Sequence, residues 1–64
     1  MTWELYEVWA EDVAGHEKLI ETTKSRKQAI EIAQDAVKNG YVVSKVWREI
    51  DEEDMDLVQI FKAG

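Results

Sequence analysis

The chain has no cysteine, no proline, a single histidine and only three glycines among its 64 residues. Without thiols it has no disulfides, no zinc–thiolate centre and no thiol nucleophile. One imidazole, His16, is too few for a histidine-based metal cage, so no metal and no cofactor are expected. The missing cysteine fits a reducing cytoplasm, the compartment expected here. No apolar run reaches the ~18 residues of a bilayer span. Met1 to Glu4 show neither a basic start nor an apolar signal segment, so no membrane partner is expected.

What is present is short and acidic. Residues 1–64 make one domain with room for one core. A chain of this size buries roughly 60% of the surface it exposes when unfolded, and small domains often draw support from a partner subunit. The formal charge is −6, from 14 acidic and 8 basic side chains. Such a balance repels phosphate backbones, and nucleic acid is not an expected partner. The charges are also segregated. Residues 1–23 carry six acids against Lys18, and residues 49–64 carry six acids against Lys62. Residues 24–48 carry six bases against Glu31 and Asp35. The middle segment is therefore expected to fold between the outer two, with opposite charges meeting.

Trp3 to Ala10 is rich in aromatic and branched residues and reads as a first strand. Residues 11–15 carry turn chemistry ending in Gly15, and the more polar stretch from His16 to Thr23 reads as a second, edge strand. Ser25 with Gln28 forms a capping box at a helix start. Ala29, Ile30, Ile32, Ala33, Ala36 and Val37 follow at helical spacing, and Asn39 and Gly40 stop the helix. Tyr41 to Ile50 reads as a third strand and Met55 to Lys62 as a fourth, joined by a polar tip. The fold class is α+β, with ββαββ order. The first and third strands are the most apolar and are placed centrally. That gives an antiparallel sheet of order 2-1-3-4 with one helix packed on one face.

One helix covers one face of such a sheet, yet both faces are apolar here. Alternation puts Tyr6, Val8 and Ala10 on one side with Val42, Val46 and Ile50, and assigns Val58 and Ile60 to them. These smaller aliphatics suit the alanine-rich helix. The other side then collects Trp3, Leu5, Trp9, Tyr41, Trp47 and Phe61, with Leu57 on the same side and Glu7 and Lys45 interrupting. At ~25 cal/mol per Å², leaving several such rings bare forgoes several kcal/mol. Either the rings tuck under loops and sheet twist, or the face awaits a protein contact, with a second copy or another chain. Aromatic sheet faces also stack RNA bases, but the charge opposes this and no glycine-rich aromatic signature accompanies the strands.

The remaining clusters are weaker. Asp51, Glu52, Glu53, Asp54 and Asp56 form an acidic run without the glycine and alternating oxygens of a calcium loop, and read as a solvated hairpin tip. Ser25, Arg26 and Lys27, at a helix start where acids are usually preferred, form a candidate anion or nucleotide site. Pairing with nearby acids explains the same bases. Ser25 and Ser44 lack a histidine–carboxylate partnership, so catalysis is not expected. The leading expectation is a non-enzymatic domain that contacts protein through the aromatic face, as a homodimer or with another chain. Two alternatives stand beside it: a small acidic inhibitor in the phage style, mimicking nucleic-acid charge, and anion sensing at the helix start.

Overall fold

The computed structural model describes residues 3–51 and 53–64. Strands β1 (Glu4–Glu11) and β2 (Glu17–Thr23) precede helix α1 (Arg26–Lys38), and strands β3 (Val43–Ile50) and β4 (Asp54–Lys62) follow it. The sheet order is β2-β1-β3-β4 and every pairing is antiparallel. This is the α+β, ββαββ arrangement read from the sequence.

Local chemistry sets each corner. In the first hairpin Asp12 Oδ1 accepts from the amides of Ala14 (2.9 Å) and His16 (3.0 Å), while Gly15 takes φ 89°. At the helix start Ser25 is extended and its Oγ accepts from Gln28 N at 3.2 Å. Gln28 reaches back past Ser25: its Oε1 accepts from the Thr23 hydroxyl at 2.8 Å, and Thr23 Oγ1 accepts from Ser25 N at 3.1 Å. At the helix end Gly40 adopts φ 115°, and Tyr41 N donates to Ala36 O at 3.2 Å. That bond runs from the second residue past the cap back into the last turn, as in a Schellman motif.

The core lies between helix and sheet. Val8 and Val46 are fully buried, Tyr6 and Ala10 nearly so, against Ala29 and Ala33, with Ala36 close by. Ile20, Ile32, Val58 and Phe61 close its edges. Three alanines on one helix face allow close approach of helix to sheet. Ser44, also fully buried, uses that closeness by donating from Oγ to Ala33 O at 2.7 Å. Among the described residues opposite charges of the middle and outer segments meet at Lys45–Glu17, 3.4 Å, and at Arg48–Asp56, 3.2 Å. The Cα extents are 39 × 20 × 15 Å, and the smallest leaves depth for one sheet layer and one helix layer. Among the described residues no helix is long and apolar enough to cross a membrane.

Two assignments need correction. Regular alternation put Ile60 toward the helix and Phe61 on the opposite face. In the structure Phe61 pairs with Ser44 and packs on the core, while Ile60 pairs with Lys45. The register shifts between Val46 and Trp47, whose partners are Gln59 and Leu57, so Val58 is an extra residue in β4. A bulge of this kind breaks the two-residue period, and every side chain beyond it changes face. Tyr41 is the second correction. It precedes β3, with its amide held by the helix end, and its ring lies 5.6 Å from Lys18 Nζ. Neither Phe61 nor Tyr41 joins the open face.

A candidate interaction face on the open side of the sheet

The side of the sheet away from α1 is built from rows of paired residues. One row runs Leu19, Trp9, Lys45, Ile60 across β2, β1, β3 and β4; the next runs Thr22, Glu7, Trp47, Leu57. Leu5, Glu49 and Met55 form a third. Trp3 extends the face beyond β1, where its amide donates to Asp51 Oδ1 at 2.8 Å and its carbonyl accepts from Asp51 N at 3.3 Å. Of the six interface residues expected from the sequence, Trp3, Leu5, Trp9 and Trp47 lie together here.

None of the three indoles is buried: Trp9 and Trp47 are partly exposed and Trp3 is 42% exposed. Leu19, Met55, Leu57 and Ile60 are each between 41% and 47% exposed. Sequence reading missed Leu19, hidden in a strand of charged residues, and Ile60, hidden by alternation in β4; Met55, which alternation puts on the same side as Leu57, was not among the candidates. Leu57 was on the right side but outside the candidate set. All four flank the aromatic centre.

The charged residues Glu7, Lys45 and Glu49 on this face are engaged. Trp9 Nε1 donates to Glu7 Oε1 at 3.0 Å, and the Lys45 ammonium pairs with Glu17. Glu49 also has a partner. At the centre, Trp9 stands opposite Lys45 and Glu7 opposite Trp47, so the four residues alternate aromatic and charged.

The other candidate clusters are arranged differently. Ser25 Oγ is occupied by its own helix amide, and Arg26 and Lys27 are exposed on the first turn. In the acidic run, Asp51 takes φ 51° and holds Trp3, and Asp56 pairs with Arg48. Glu53 and Asp54 are exposed, and Glu52 lies outside the described residues. Among the described residues no three histidine, cysteine, aspartate or glutamate side chains converge as metal ligands would. An open cleft of about 320 Å³ sits at the opposite end of the sheet, lined by Asp12, His16, Lys18, Asn39, Gly40 and Tyr41. Backbone amides led by that of His16 hold the Asp12 carboxyl below its ordinary pKa, so this acid is spent on the turn. Hydrogen bonding to Tyr41 raises Lys18.

Compared with known proteins, the chain matches no family model, no curated protein and no solved structure.

Proposed function

We propose that this protein is a non-enzymatic interaction domain, working in a reducing cytoplasm, whose open sheet face docks on protein. The observation that carries the reading is the coincidence of Trp3, Leu19, Met55, Leu57 and Ile60, all over 40% exposed, on one side of the sheet. Scattered apolar residues on a surface need no explanation, but a contiguous set framing two tryptophans does. With side chains of roughly 150–250 Å², those five alone leave on the order of 400 Å² of apolar surface in water.

Covering that area contributes roughly 10 kcal/mol at ~25 cal/mol per Å². Association costs about 4–15 kcal/mol in lost translational and rotational freedom, so the reading implies a contact of moderate affinity. Tryptophan anchors at the centre of a patch with aliphatic flanks are the composition that dominates protein–protein contacts. The serine hydroxyls support a non-catalytic reading, since Ser25 caps the helix and Ser44 is sealed in the core.

The test is a double variant, Leu57→Lys with Ile60→Lys, compared with the parent at high dilution. The reading expects the two to share circular dichroism and unfolding midpoint within a few degrees. It also expects the parent to enhance the fluorescence of the apolar dye ANS and the variant to lose that enhancement. A dilute variant that unfolds would mean that the face holds up the fold, and would reject the reading.

A further inference from the structure

Resting on that reading, we infer that the occupant of the open face is a second copy of this chain. A two-fold interface brings one surface against itself, so it must be self-complementary. The centre of this face has that property. Trp9 and Trp47 occupy one diagonal of the central four-residue block, and Glu7 and Lys45 occupy the other. The block holds one acid and one base, and its net charge is zero.

Consider a two-fold axis lying in the interface along the Trp9–Trp47 diagonal. It sets each tryptophan against its own counterpart and each Glu7 against the second copy's Lys45. The strands of the two sheets then cross steeply, in the orthogonal class of sheet packing. Axes along or across the strands instead press each charged group onto a ring. Charges taken out of water need an opposite charge, so the diagonal axis is the one the chemistry favours. Lys45 keeps donors for this contact beyond Glu17, because an ammonium has three.

Area sets the strength of such a contact. Four strands at ~4.8 Å spacing, each about eight residues long at ~3.3 Å rise, span a face of roughly 14 by 26 Å before side chains spread. That is about 360 Å², below the ~800 Å² per partner of a standard stable interface, so the pairing is of the weak, concentration-dependent kind. The two edge strands carry Leu19 on β2 and Leu57 and Ile60 on β4, which continue the apolar surface to both borders. Opposing the contact is the −6 charge of each copy. That repulsion is long-range and screened by salt, so pairing strengthens as ionic strength rises.

The experiment is sedimentation equilibrium of the full chain from micromolar to millimolar concentration, at low and high sodium chloride. The expected result is a mass rising from 7.4 kDa toward twice that value, with tighter pairing at high salt. Glu7→Lys alone and Lys45→Glu alone each place like charges at the centre and should weaken pairing at least tenfold. An equimolar mixture of the two should pair again, because each opposes the other's charge correctly. A chain of single-copy mass at every concentration and salt overturns self-pairing. If the Leu57→Lys, Ile60→Lys variant then stays folded and loses ANS binding, the interaction reading survives with another occupant. If pairs form that are indifferent to all these substitutions, the contact lies elsewhere and both inferences fall.

Discussion

Ser44 and Ala33 are joined by a side-chain hydrogen bond between sheet and helix, Oγ to carbonyl at 2.7 Å in a fully buried setting. The bond depends on alanine at position 33: a larger side chain would lift the helix and break it. Ser44→Ala should therefore cost about 1 kcal/mol, which lowers the unfolding midpoint by roughly 4–8 °C in a domain of this size. Ala33→Leu should cost more, about 1–3 kcal/mol, through overpacking. Thermal unfolding followed by circular dichroism measures both. A neutral Ala33→Leu would show that helix and sheet are less closely packed than described.

The Asp12 carboxyl titrates below its ordinary value because the His16 amide, with those of Ala14 and Gly15, favours the charged form. A lowered folded pKa means that the stabilisation is complete above the unfolded value and disappears as pH falls through the folded one. Acidification should loosen the first hairpin, and Asp12→Ala should be loosened already at neutral pH. Carbon-detected NMR titration gives the midpoint directly. An Asp12 midpoint at or above that of a free aspartate would contradict the turn chemistry.

Tyr6 shifts in the other direction. Its phenol donates to Glu4 Oε1 at 2.7 Å, and this bond first, then burial, raises its pKa. The associated stability is whole below the unfolded pKa and is lost as pH climbs through the folded one. Ultraviolet titration of the phenolate should show one tyrosine ionising late, and Tyr6→Phe should abolish that late phase.

Gly40 sits at φ 115° with nothing within 4 Å of where a Cβ would lie. The cost of Gly40→Ala is therefore conformational, not steric crowding by neighbours, and should be about 1–2 kcal/mol. Chemical denaturation of the variant checks it, with an unchanged midpoint as the contrary result.

Much of this architecture was legible in the residues, for identifiable reasons. The helix announced itself through Ser25, the spaced alanines and Gly40, each a local signal. Order 2-1-3-4 followed from the apolar weight of the first and third strands. The face assignments of β4 failed because a bulge is a property of two strands together, and no local feature around Val58 marks it. Tyr41 was misplaced because its sequence neighbours are strand-like, whereas its amide is claimed by Ala36 O. The open face was thus foreseen at its aromatic centre. Of its aliphatic borders, Leu19 and Ile60 depend on register and appeared only with the pairing.

The most direct measurement is acrylamide quenching of tryptophan fluorescence as a function of protein concentration. Rings partly exposed in a lone copy and covered in a pair should be quenched at high dilution and become shielded as concentration rises. Strong shielding at every dilution would mean that the indoles are already enclosed by their own chain, contradicting the account.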